Sequence, residues 1–139
     1  MLKRVLLFAL IVPALFCRIA VPAEGDWLTH FEKSGFMETP RYDETIEFCG
    51  KLANASDIIE FTDFGVSPQG RKLPLLIIDS DKGFEPAALE NRTKPVILIE
   101  ACIHAGESCG KDAGLMFIRD IVIHRMYGDI IKDVVVLFF

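Results

Sequence analysis

The sequence predicts an α/β domain built on a mixed sheet, and two patterns carry that prediction. Near the C-terminus, an apolar run at 96–101, a long helical pattern at about 109–127 and a second apolar run at 134–139 form a strand–helix–strand unit. Its two strands are expected to lie parallel, joined by a right-handed crossover. Upstream, segments 58–66 and 73–78 are rich in β-branched, aliphatic and aromatic residues. Ser67-Pro-Gln-Gly70 joins them, with Pro and Gly where a type I turn wants them, so an antiparallel hairpin is expected.

Length and charge narrow the class. A chain of 139 residues, 51% apolar and with net charge −5, can bury one sizeable core. Residues 1–23 read as a secretory leader. Lys3 and Arg4 come first, an apolar run from Val5 to Cys17 follows, and Val21-Pro22-Ala23 offers a small-residue cleavage site. The run is shorter than the ~20 residues of a membrane span, and Arg18 closes it, so no stable span is expected once the leader is removed. An uncleaved anchor is the alternative. A lipoprotein reading through Cys17 is disfavoured by bulky Phe16 before it. Loss of the leader removes Lys3, Arg4 and Arg18 and no acid, leaving residues 24–139 more acidic still. An acidic, exported chain without a basic cluster argues against a nucleic-acid partner and for a secreted or periplasmic location.

Residues 24–38 read as a surface lead-in: Trp27, Leu28 and Phe31 have the spacing of a short helix, but the preferred reading is that they simply cover the edge of the core, and His30 takes a surface role. Thr39-Pro40 reads as a helix start, with Thr as cap and Pro at the first helical position. Asp43 and Glu44 suit the positive end of the dipole. Tyr42, Ile46, Cys49 and Ala53 then share a face, so a helix is expected over about 40–53. Pro74 cannot donate to a ladder, which predicts a bulge or an edge at that point of the second strand. Residues 86–91 suit a short helical turn. In the long helix Ser108 is a possible cap, Arg119 and Asp120 mark the outer side, the remaining apolar residues point nearly all round, and Gly128 is placed to end it. The run at 134–139 is the interior of a central strand, so the sequence reads as truncated.

Three cysteines remain after the leader. Cys102 and Cys109 flank the turn after the 96–101 strand and are placed to come close. A buried free thiol is the alternative for Cys49 and Cys102. Asn54-Ala-Ser56 and Asn91-Arg-Thr93 match the glycosylation acceptor pattern, which matters only in a eukaryotic host.

The chemistry concentrates in that turn. His104 and Glu107 stand three positions apart between strand and helix. Ligands of open α/β sheets bind beyond the carboxyl ends of the strands, and an imidazole and a carboxylate there can converge on one metal ion. Zinc accepts both ligand types. Gly106 allows a tight turn between them. The competing reading is a turn whose side chains only bond local backbone. His124 lies about five helical turns on and is read as a partner for the helix C-terminus. Glu100 lies on the strand just before the motif.

Ile103-His-Ala-Gly-Glu-Ser-Cys-Gly-Lys-Asp-Ala113 resembles the first zinc motif of the zinc carboxypeptidases, the carboxypeptidase A-like metallopeptidases, in the bacterial form that reads His-Ala-Gly-Glu. Gly65-Val-Ser-Pro-Gln-Gly-Arg-Lys-Leu73 and the strand after it are similar to that family's Ser-x-x-Gly-Arg segment. The resemblance implies that residues 24–139 are the N-terminal portion of a mixed-sheet, three-layer catalytic domain. It implies that His104 and Glu107 are two ligands of a Zn2+ ion, and that the parent protein hydrolyses peptide or other amide bonds with metal-activated water. The family's third ligand, a His, and its general base, a Glu, would lie beyond residue 139, so this chain alone is expected to be inactive. Gly106 stands where pancreatic-type members carry Arg, so their substrate contacts do not transfer here. Two other readings share the motif: a zinc-dependent deacylase of N-acyl amino acids, and a non-catalytic binding module.

Overall fold

The computed structural model describes residues 24–90, 93–104 and 106–139. The expected leader at 1–23 and the expected glycosylation acceptor at Asn91 lie outside the described residues.

A four-stranded mixed sheet runs in the order β1 (Ile59–Val66), β2 (Lys72–Ile78), β4 (Val135–Phe138), β3 (Val96–Ile99). β1 and β2 form the expected antiparallel hairpin. β2 pairs antiparallel with β4, and β3 and β4 run parallel. The register slips between Asp63 and Gly65, opposite Pro74, so Phe64 is left out of the ladder. The missing amide of Pro74 is thus accommodated by a bulge on the facing strand. Beyond the bulge β2 has no second neighbouring strand among the described residues, because β4 reaches only Leu76, Ile77 and Ile78.

Register decides which residues share a face. Ile59 faces Ile78, Leu76 faces Phe138, and Ile78 faces Val136. These pack with Cys49 and Leu52 of α2 (Tyr42–Ala55) and with Leu115, Ile118, Ile121 and Val122 of α4 (Cys109–Val122) into one core. The alternate positions Ile77 and Val135 are buried as well, so the sheet is apolar on both faces, as strands of a layered α/β fold should be. At the open edge, Leu98 of β3 remains 61% exposed.

The lead-in covers the core edge through two short helical turns. A 3₁₀ turn, Glu24–Trp27, buries Trp27, and α1 (His30–Lys33) follows with Thr29 as its cap. Thr29 Oγ1 accepts from Glu32 N–H at 3.2 Å, and Glu32 Oε2 accepts from Thr29 N–H at 2.7 Å. This is a capping box. His30 is half-buried and sits 3.3 Å from Glu44. α3 (Pro86–Glu90) is the short helical turn read from the sequence.

Four local expectations change. α2 begins at Tyr42, not Pro40; Arg41 N–H donates to Glu44 Oε2 at 2.9 Å, which leaves Thr39 for another partner. α4 is buried on one side only, with Phe117 38% exposed. Arg119 is not on its outer side: it is buried against Glu32. Finally, α4 ends at Val122, and Gly128 opens α5 (Gly128–Ile131) instead of closing the longer helix. Arg125 and Tyr127 take positive φ values of 55° and 60° there, and Met126 N–H bonds Asp120 O at 2.9 Å. Two left-handed residues within three positions break the helix, and Ile131 of α5 returns to the core.

Candidate metal centre

The motif sits on the loop 100–108, between β3 and α4. Ala101 N–H still bonds Phe139 O at 2.8 Å, holding the start of the loop to β4. The chain then turns sharply, with φ of 60° at Cys102 and 90° at Gly106. Glycine takes the second value without steric cost. Glu107 N–H bonds back to His104 O at 3.2 Å and closes the turn. Ser108 occupies the N-cap position of α4 but makes no side-chain cap bond.

The turn brings His104 Nδ1 and Glu107 Oε2 to 3.0 Å, with the side chains 74% and 66% exposed. A carboxylate only accepts, so in this state Nδ1 carries the proton and donates it to Oε2. The same geometry suits a metal. Zinc–nitrogen and zinc–oxygen bonds of about 2.0–2.2 Å, at angles between about 90° and 110°, place the two donor atoms about 2.9–3.4 Å apart. The observed 3.0 Å falls inside that range, so the separation of the two donor atoms is compatible with one shared ion once the Nδ1 proton is lost and the ring turns its lone pair toward that ion. The start of α4 adds a favourable dipole for the Glu107 carboxylate.

Packing below the loop fixes where α4 begins. A Cβ on Gly114 would run into Phe138 Cε2 and Cζ, so helix and strand meet there without room for a side chain. Lys111, in the first turn of α4, donates to Thr39 Oγ1 at 2.9 Å and Pro40 O at 2.7 Å, tying this end of the helix to the chain entering α2. It also lies 3.4 Å from buried Asp112, whose Oδ1 finds no hydrogen-bond partner among the described residues. At the other end, Arg119 donates to both Glu32 oxygens, at 2.7 and 2.6 Å, locking the lead-in onto α4. Burial pulls the Glu32 carboxyl upward. Hydrogen bonds from Arg119 and Thr29, with the Arg119 charge, outweigh it and hold the group below its ordinary value.

The sequence reading passed over Lys111, although one signal was present: a cation in the first turn opposes the helix dipole and needs a local partner. It also missed the Arg119–Glu32 pair, whose members are 87 positions apart.

Among the described residues, no set of three His, Cys, Asp or Glu side chains converges on a point. Cys102, Cys109, Glu100 and His124 therefore do not complete the His104–Glu107 pair. A cleft of about 620 Å³ adjoins the loop, bounded by Tyr42, Phe64, Cys102, Gly106, Lys111 and Phe139. A larger cavity of about 890 Å³ lies at the far end of α4, around Asn54, Asp57 and Arg125, and includes none of the motif. The smaller cleft meets the loop at Cys102, Gly106 and Ser108, while His104 and Glu107 lie outside its lining. No helix among the described residues is long and apolar enough to cross a membrane.

Comparison with known proteins gives a consistent picture. The zinc carboxypeptidase family profile matches residues 45–139. The fold is similar to the crystal structure of carboxypeptidase A from Helicoverpa armigera, with a TM-score of 0.62 and 21% identity over 73% of this chain. The chain spans only 24% of that protein's length. No curated protein matches the sequence.

Proposed function

We propose, from the premise that this chain belongs to the zinc carboxypeptidase family, that its 100–108 loop supplies two protein ligands to a zinc-dependent peptidase site. The observation that carries the reading is the 3.0 Å convergence of His104 Nδ1 and Glu107 Oε2 beyond the carboxyl end of β3. Bound there, zinc would activate a water molecule and polarise the scissile amide carbonyl. His104 would ligate through neutral Nδ1, giving up the proton it now donates to Glu107, and Glu107 would remain a carboxylate. Gly106 holds the turn that presents both groups, and Lys111 anchors the helix behind them. The adjoining cleft receives the peptide or other small amide substrate.

In this reading the third ligand and the general base come from outside the 139 residues, and the isolated chain does not turn over substrate. The leader at 1–23 directs the protein to a secreted or periplasmic location. The test compares this chain with the polypeptide obtained by continuing its reading frame, using blocked peptides and N-acyl amino acids as substrates. Release of C-terminal residues by the longer protein, abolished by 1,10-phenanthroline and by His104→Ala, is expected. Chelator-insensitive hydrolysis would overturn the metal reading. Chelator-sensitive hydrolysis by the 139-residue chain would overturn the claim that it is inactive. Activity confined to N-acyl amino acids would replace peptidase by deacylase.

A further inference from the structure

The loop carrying His104 and Glu107 begins and ends in cysteine, and the arms that hold it meet at its base. Ala101 is fixed to β4 through its N–H. Across from it lies Gly110, in the first turn of α4: a Cβ built there would stand 3.8 Å from Ala101 Cβ and 3.9 Å from Ala101 Cα. Cys102 and Cys109 are the next residues out on the two arms, and both are exposed free thiols. Peptide geometry keeps each within about 3.8 Å of its neighbour's Cα. The 3.2 Å bond from Glu107 N–H to His104 O is the loop's own internal backbone bond among the described residues. Cys102 and Cys109 thus flank the closed base of the loop, where a disulfide would need their Cα atoms about 4.4–6.8 Å apart. Cys49, by contrast, is buried in the core on the inner face of α2.

We infer that Cys102 and Cys109 are a disulfide-forming pair that clasps the base of the 100–108 loop under oxidising conditions. The chemistry is dithiol–disulfide exchange with a small-molecule disulfide, RSSR. One cysteine sulfur attacks RSSR, forming a mixed disulfide and releasing RSH. The second attacks the mixed disulfide at the cysteine sulfur, closing the protein S–S bond and releasing a second RSH. The two thiol protons end on the two RSH molecules. The product holds both ends of the turn that presents His104 and Glu107, without using either side chain.

The test is run with EDTA present, so it stands apart from zinc binding. The full chain is incubated with oxidised glutathione, remaining thiols are blocked with iodoacetamide, and the protein is cut with a Glu-specific protease. Cleavage after Glu107 separates Cys102 from Cys109. The expected result is one species, two hydrogens lighter than its parts, that joins both cysteine peptides and separates on reduction. In the reduced native protein, both cysteines take up iodoacetamide while Cys49 does so only after unfolding. The Cys109→Ser variant should stop at the mixed disulfide on Cys102. Alkylation of both cysteines after oxidation, glutathione left on each in the unsubstituted chain, or a link from either to another cysteine or another molecule would overturn the assignment.

Discussion

Replacing Gly114 by alanine tests the packing that sets the metal loop on the sheet. In an exposed helix interior, Gly→Ala stabilises by about 1 kcal/mol through propensity alone. Here the added methyl would lie more than about 1 Å inside ordinary carbon–carbon contact with Phe138 Cε2 and Cζ, and 3.3 Å from Cδ2. The Phe138 ring is only 6% exposed and packed in the core, so it has little room to turn away. Overpacking of this kind costs about 1–3 kcal/mol, and an overlap at two ring atoms belongs at the upper end. Set against the propensity gain, the net destabilisation is about 2 kcal/mol. With a urea m-value of about 2 kcal/mol/M, the midpoint falls by about 1 M. Gly110→Ala is the matched control one helical turn earlier. Its methyl meets Ala101 at an ordinary 3.8 Å, so stability should rise by about 0.4–1 kcal/mol. Urea unfolding followed by circular dichroism reads both. A Gly114→Ala midpoint equal to or above that of the parent would refute the close helix–strand approach.

The Arg119–Glu32 pair, with side chains 9% and 10% exposed, should behave as a buried ion pair. Arg119→Met or Glu32→Gln alone is expected to cost about 3–5 kcal/mol, and the double replacement to recover much of that, in a double-mutant cycle by urea unfolding. Because the folded-state Glu32 pKa is depressed, its contribution is complete above the unfolded carboxylate value and is lost as pH falls through the lower folded value. Stability measured from pH 6 down to pH 2 should show that loss in the parent and not in Glu32→Gln. Burial pushes the Cys49 thiol from 9.0 up to about 12. A raised thiol value gives stability that is present below the unfolded pKa and drains away between about 9 and about 12 as the unfolded chain ionises. Cys49→Ala should remove that alkaline slope in unfolding curves taken at pH 8 to 10.

The sequence exposed the parts of the fold that depend on local pattern. Val96 to Ile99 and Val135 to Phe138 are uninterrupted apolar strands separated by a long amphipathic pattern, and they pair in parallel as that pattern implies. The hairpin was equally legible from its turn residues and Pro74. The end of α4 was not, because residues 123–127 keep helix-compatible composition. The break there comes from left-handed backbone at Arg125 and Tyr127, where Gly or Asn would have been the visible signal. Arg119 looked like a solvent-facing charge because its partner lies in a segment 87 positions away, and periodicity carries no information about such a contact. At the loop, spacing singled out His104 and Glu107 as candidates, and the structure brings their side chains to 3.0 Å around the left-handed turn at Gly106. The anchoring by Lys111 was missed because Thr39, read as a helix cap, serves as its acceptor instead.

The most direct test of the central claim is a zinc titration followed through the imidazole resonances of the three histidines. The account predicts that zinc shifts the His104 ring selectively. Nδ1 should change from a protonated to a ligating nitrogen, His30 and His124 should be unmoved, and Glu107→Gln should weaken the response at least tenfold. A titration in which His104 does not respond, or responds no more than His30 and His124, would contradict it.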